Sequence, residues 1–262
     1  MAYTIHCAYF SPTHATEKIV ETVTGEIMGL LPQPSKGQVI NLTPPSGRKP
    51  IAAFGQEDLL ILGAPVYAGR IPAILQPFLS SLKGRNTPAI IVSVYGNRHY
   101  EDSLLEMQDI LQEAGFIAIA AGAFIGEHSY SRLAAAGRPD SRDLQLAGVL
   151  AAKAAQKLQG SVFQPIKLPG NYPYRTGMAA APRSPKTKAG CTACLLCAGL
   201  CPSGAISFED PRLADKAVCI SCCACVKACP QEAKYFDDEG LLQRKTLIES
   251  NFLERREPEL FC

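Results

Sequence analysis

Tryptophan is absent from the 262 residues. Any flat ring held by this chain must therefore stack on tyrosine, histidine or an apolar side chain. Excess charge is absent too, since 26 Lys and Arg against 24 Asp and Glu leave a net charge of +2. Nothing in that balance points to nucleic acid or to a strongly charged membrane surface. No stretch approaches the roughly 18 uninterrupted apolar residues of a membrane span. The first residues, Met1-Ala2-Tyr3-Thr4-Ile5, run straight into a strand without a basic leader or an apolar signal core. A soluble, cytoplasmic protein is expected. No G-x-G-x-x-G follows a strand, which argues against a built-in NAD(P)H site.

Cysteine, by contrast, is abundant, with eleven in the chain. Eight fall in two arrays: Cys191-x2-Cys194-x2-Cys197-x3-Cys201-Pro202, and Cys219-x2-Cys222-x2-Cys225-x3-Cys229-Pro230. A tight C-x2-C-x2-C turn places three sulfurs on three corners of a cubane cluster, and the fourth ligand must come from elsewhere. The spacing is that of the two-cluster bacterial ferredoxin pattern, in which the fourth cysteine of each run ligates the other run's cluster. Cys191, Cys194, Cys197 and Cys229 would then hold one 4Fe-4S cluster, and Cys219, Cys222, Cys225 and Cys201 the other.

The arrays form an internal repeat with an offset of 28 residues, 219 minus 191, which also pairs Pro202 with Pro230, Ala205 with Ala233 and Phe208 with Phe236. C-x2-C pairs alone leave zinc open, and cysteines in general leave disulfides open. Two complete arrays, each closed by proline, argue against both. Three cysteines lie outside the pattern. Cys223 shares a repeat position with Leu195 and reads as a packing thiol, Cys7 lies in an apolar strand, and Cys262 has no assigned role. Cluster thiolates need a reducing compartment, and an anaerobic or reducing cytoplasm suits them best.

Across the first 160 residues apolar runs alternate with helical patterns. Strands are expected near 3–10, 39–42, 58–63, 89–95 and 116–124, and helices near 16–29, 72–82, 101–114 and 140–158. The alternation predicts a parallel sheet covered on both faces. Ligands bind beyond the C-terminal strand ends of such sheets, which directs attention to three loops. Ser11-Pro12-Thr13-His14-Ala15-Thr16 opens into a helix whose free N–H groups suit a phosphate monoester; a plain helix cap is the simpler alternative. Gly63-Ala64-Pro65-Val66-Tyr67-Ala68-Gly69-Arg70 and Tyr95-Gly96-Asn97-Arg98-His99-Tyr100 combine glycine with aromatic rings suited to a flat cofactor. Surface packing is the ordinary alternative for Tyr67 and Tyr100.

On these residues the N-terminal part resembles a flavodoxin, with Tyr9 to Thr16 at the phosphate loop. The whole chain resembles the flavodoxin–ferredoxin fusion proteins of anaerobic bacteria and archaea, called EFR-type ferredoxins. The resemblance implies an α/β fold, doubly wound with strand order 2-1-3-4-5, followed by a small α+β ferredoxin-like domain, with FMN and two 4Fe-4S clusters as cofactors. It places Ser11, Thr13, Ala15 and Thr16 at the FMN phosphate, with His14 either offering a ring N–H to it or pointing to solvent. Pro65, Val66, Tyr67, Ala68 and Gly69 would line one side of the ring, and Tyr95, Gly96, Asn97, Arg98 and Tyr100 the other. Where flavodoxins read Thr-Gly-Asn-Thr, the middle pair here is His14-Ala15. A fourth loop, Gly126 to Ser131, follows strand five and offers His128 as a proton donor or as a structural histidine.

The expected organisation is a flavodoxin-like domain at 1–160, a proline-rich linker at 161–187, a ferredoxin domain at 188–238 and a helical tail at 239–262. The linker has no acidic residue, and Asn171 to Arg175 is aromatic enough to dock. The ferredoxin unit is too small for an apolar core of its own, so its clusters must staple it. The implied function is electron transfer between the clusters and FMN. Redox proteins such as a ferredoxin-dependent reductase or oxidoreductase are the expected partners. The alternative is an FMN-dependent reductase of a small unsaturated or quinone-like substrate.

Overall fold

The computed structural model describes residues 2–160, 162–176 and 182–262. Five parallel strands, β1 (Thr4–Tyr9), β2 (Ser35–Asn41), β3 (Asp58–Pro65), β4 (Thr87–Tyr95) and β5 (Phe116–Ile125), lie in the order 2-1-3-4-5. This is the flavodoxin order. Every residue of β4 is buried and nearly every residue of β5, as happens when both faces of a parallel sheet are covered. Helices α1 (Ala15–Leu30) and α4 (Ser141–Lys157) cover one face, where Ile19, Val20, Val23 and Ile27 meet Ala147, Leu150, Ala151 and Ala154. Helix α3 (Ser103–Glu113), with the loops after β2 and β3, covers the other through Leu104, Met107, Leu42 and Phe78.

Close packing of α1 depends on Gly63, where an added Cβ would stand 2.3 Å from Val20 Cγ2. The expected helix over 72–82 is shorter, a 3-10 turn (Ala73–Leu75) running into one α-helical turn, α2 (Gln76–Leu79). Pro77 has no N–H to give the carbonyl four residues back, which leaves the preceding residues in the tighter spiral.

The segment expected as a linker is tied to the N-terminal unit. Ile166 donates its backbone N–H to the Ala118 carbonyl and receives the Gln108 amide on its own carbonyl. Asp102 accepts the backbone N–H groups of Asn171 and Arg175, at 2.8 and 2.6 Å. The Arg70 guanidinium lies 4.5 Å from the Tyr174 ring centre.

The cysteine-rich unit has the symmetry of its sequence. Helices α5 (Leu196–Gly199) and α6 (Ala224–Ala228) sit 28 residues apart, as do the left-handed pairs Ala193 with Ser221 and Leu195 with Cys223. β6 (Lys186–Thr187) pairs with β7 (Lys234–Tyr235), so the unit's first strand lies inside the expected linker. The tail is a helix only as far as Asn251: α7 (Glu239–Asn251) is followed by β8 (Glu259–Phe261), a sixth, antiparallel strand beside β5. Among the described residues no helix is long and apolar enough to cross a membrane.

Candidate functional site

The loop after β1 leaves the start of α1 open. Ser11 is buried; its hydroxyl accepts the Glu17 N–H at 3.0 Å and its own N–H reaches Thr43 Oγ1 at 2.8 Å. These bonds fix the loop from both sides. The backbone N–H groups of Thr13, Ala15 and Thr16 find no partner among the described residues, and a helix start with free donors attracts an anion. His14 caps the helix at φ 65°, in the left-handed region that glycine adopts without strain. Its ring turns away from the loop, 71% exposed, with Nδ1 2.7 Å from Glu17 Oε2.

A pocket opens from this loop, lined by Ser11, Thr13, Ala15 and Thr16, by Pro65, Val66 and Tyr67, and by Tyr95 and Gly96. The fourth loop closes it with Gly126 to Ser129. Gly96 allows that closure, because a Cβ there would stand 2.4 Å from the His128 ring. Six of the residues expected near the ring or phosphate are not in this pocket's lining. His14 faces solvent. Ala68 borders a neighbouring cavity, and Gly69 packs on Glu101. Arg98 forms a two-pronged pair with Glu101. Asn97 donates to the carbonyls of Phe252 and Glu254, and the Tyr100 hydroxyl donates to Glu259. Asn97 and Tyr100 thus hold the C-terminal segment, a role that no local sequence signal announces.

His128 is partly buried, and desolvation, assisted by Lys227 and Arg98, lowers its pKa from 6.5 to about 4. Its Nδ1 accepts the Tyr130 N–H at 3.1 Å, so the neutral ring carries its proton on Nε2. The environment suits a neutral structural ring rather than an imidazolium donor.

The cysteines gather in two cavities. One is lined by Cys191, Cys194, Cys197 and Cys229, the other by Cys201, Cys219, Cys222 and Cys225. Each set takes three residues from one array and the last from the other. Backbone N–H groups approach three of these sulfurs: Ala193 to Cys191 at 3.4 Å, Ala205 to Cys201 at 3.2 Å and Ala233 to Cys229 at 3.3 Å. Burial pushes the Cys222 thiol up to about 12 and raises Cys225 further. Burial also acts to raise Cys229, but the N–H groups of Ala233, Lys234 and Gln231 outweigh it and the pKa falls. Buried thiols of this kind ionise only where positive charge is supplied to them. Among the described residues no three His, Cys, Asp or Glu side chains converge on a single ion. The two cysteine sets are compatible with iron–sulfur clusters, whose thiolates stand on separate iron corners and need no common point. Cys223 is buried at the second cavity, Cys7 lies in the core, and Cys262 is exposed beyond β8.

The two sites share a wall, because Cys222 also lines the pocket of the β1 loop. Tyr67 stands there too; burial first, then the nearness of Cys222, raises its phenol well above 10. Lys227 of α6 fastens the contact, donating to Glu127 and, at 2.9 Å each, to the carbonyls of His128 and Ser131.

No family model matches the sequence, and no curated protein matches it. Solved structures similar in chain path cover the N-terminal unit. A flavodoxin from the domain Archaea is 12% identical, covering 60% of this chain and 99% of its own, with a TM-score of 0.42. Flavodoxin 2 from Bacillus cereus is 15% identical over 59% of this chain and 99% of its own, at 0.43. An apo NADH:FMN oxidoreductase is 15% identical over 60% and 90%, also at 0.43.

Proposed function

We propose that this chain is an electron-transfer protein in which two 4Fe-4S clusters and an FMN exchange electrons, joining one-electron to two-electron redox partners. The observation that supports this reading is the position of Cys222, whose side chain belongs to one cysteine cavity and also to the pocket of the β1 loop. No separate carrier is then needed between the two halves.

FMN supplies one- or two-electron chemistry and each cluster supplies one-electron chemistry when bound. The N–H groups of Thr13, Ala15 and Thr16 would hold the phosphate, while Pro65 to Tyr67 and Tyr95 with Gly96 would flank the ring. Val66 and Tyr67 would keep water from the shared wall. Cys191, Cys194, Cys197 and Cys229 would hold the outer cluster. Cys194 is exposed, and Leu195 and Leu196 beside it are half-exposed, which suits contact with a redox protein.

Anaerobic purification followed by flavin extraction and iron counting tests the reading. One FMN and about eight irons per chain are expected for two 4Fe-4S clusters. About four irons would remove one cluster, and zinc in their place would remove the proposal. A redox titration following both cofactors then fixes the direction of flow.

A further inference from the structure

The 28-residue repeat lets the two cysteine cavities be compared position by position. Ala205 donates its N–H to Cys201 Sγ at 3.2 Å, and Ala233 does the same to Cys229 Sγ at 3.3 Å. The next position breaks the match. It is Ile206 at the second cavity and Lys234 at the first, 234 minus 206 being the repeat offset of 28.

Both side chains are buried, at 2% and 3% exposure. Ile206 packs with Cys197, Ala198 and Cys225 in a small apolar cluster. Lys234 Nζ donates to Thr187 Oγ1 at 2.8 Å and to the Pro211 carbonyl. Both acceptors are neutral, and Lys234 makes no ion pair among the described residues. An ammonium so placed is costly to bury unless negative charge lies near it. The four cysteines of the first cavity, once ionised around a cluster, provide that charge.

The second cavity has no charged side chain on its lining among the described residues, apart from its thiols. Two cations approach its cysteines from outside, Arg183 near Cys219 and Lys227 near Cys223. Each has a carboxylate of its own: Asp238 lies 3.4 Å from Arg183, and Glu127 pairs with Lys227. Uncompensated positive charge is thus confined to the first cavity. Water acts in the same sense, because Cys194 of the first set is exposed and no cysteine of the second set is. An added electron is stabilised by a nearby cation and by solvent, and cluster potentials follow both influences.

We propose that Lys234 sets the order in which the two clusters fill. The cluster on Cys191, Cys194, Cys197 and Cys229 takes the first electron, and the one on Cys201, Cys219, Cys222 and Cys225 takes the second. The proposal deepens the electron-transfer reading and rests on both cavities holding 4Fe-4S clusters. A chain carrying one electron would keep it at the exposed end, by Cys194. The cluster that shares a wall with the pocket after β1 would be the stronger donor once filled.

The test uses the full chain, purified anaerobically, with iron counted first. Redox titrations followed by electron paramagnetic resonance compare the wild type with Lys234→Gln and Lys234→Arg. Two separate cluster midpoints are expected in the wild type. Glutamine keeps a donor for Thr187 and Pro211 without the charge. It should weaken electron affinity at the higher midpoint by about tenfold, a fall of about 59 mV, and leave the lower one within about twofold. Arginine should preserve both values. Coincident midpoints in a wild type holding about eight irons would overturn the proposal alone, and so would wild-type midpoints in Lys234→Gln. If Lys234→Gln loses iron, single-cluster chains decide: Cys201→Ser, which keeps the first cluster, should titrate above Cys229→Ser, and the opposite order overturns the proposal. Zinc in place of iron in the wild type would overturn the cluster reading and this proposal with it.

Discussion

Lys227 donates to the His128 carbonyl across the seam between the cysteine-rich unit and the flavodoxin-like unit, and one methylene chain thereby reaches from the second cysteine array to the loop after β5. Its other partners, Glu127 and the Ser131 carbonyl, belong to the same loop. Lys227→Met keeps much of the length and removes the donors. Glu127, shielded from water on most sides, loses its cation, and a loss of about 1–3 kcal/mol in unfolding free energy is expected by denaturant titration. With FMN and iron contents preserved, electron transfer between the halves should slow, as read by rapid reduction followed at the flavin band.

Exchanging Cys229 and Cys201 for serine separates the two cysteine sets. Each variant should lose about half the iron. Cys229→Ser should remove the cluster held by the first array, and Cys201→Ser the one that borders the flavin pocket. Only the second should uncouple flavin reduction from the remaining cluster, observed by electron paramagnetic resonance beside the flavin spectrum. The reverse assignment would rule out the crossed sets.

At position 14 a histidine occupies a left-handed backbone conformation with its ring in solvent. His14→Gly relieves that strain and should raise stability by about 1 kcal/mol, less whatever the exposed pair with Glu17 contributes. FMN affinity, measured by fluorescence quenching, should stay within a few-fold. A much larger loss would make the His14 ring a phosphate ligand after all.

The pH response follows from His128. Its folded pKa of about 4 lies below the ordinary 6.5, so the native state favours the neutral ring. That contribution is fully present above pH 6.5 and is lost as pH falls towards 4. A gap of that size corresponds to about 3 kcal/mol. Unfolding free energies of the wild type and His128→Leu, compared between pH 7 and pH 4.5, should converge at the acid end. Parallel curves would place His128 in an environment that accepts a proton.

Much of the architecture was legible because its signals are local. Four of the five strands come from apolar runs bounded by turns, whereas β2 starts at Ser35 rather than at the expected 39 because only Ile40 in it is buried and its first half is polar; the helices come from three- and four-residue periodicity. The cysteine sets come from spacing and a repeat, and the structure puts those same thiols around two cavities. The lining of the pocket after β1 was legible only in part. Pro65, Val66, Tyr67, Tyr95 and Gly96 line the pocket, whereas Asn97, Arg98 and Tyr100 serve contacts with partners too far along the chain, or too ordinary, to be read from a motif. The shared wall at Cys222 was illegible for the same reason: it joins side chains from opposite ends of the sequence. β8 is three residues long and begins with glutamate, so neither length nor alternation marks it as a strand.

That strand has a consequence for how the protein can be handled and cut. Residues 259–261 cover part of β5, whose edge would otherwise expose unpaired N–H and C=O groups along a run of alanine and other apolar residues. A fragment ending near residue 160 would present that edge as a template for other chains and should aggregate. The molecule is belted at both ends, by the segment after α4 and by its own terminus. The cysteine-rich half is accordingly a moored neighbour rather than a swinging arm, and the distance from the cysteine cavities to the pocket after β1 is set by the fold rather than by diffusion of a tether.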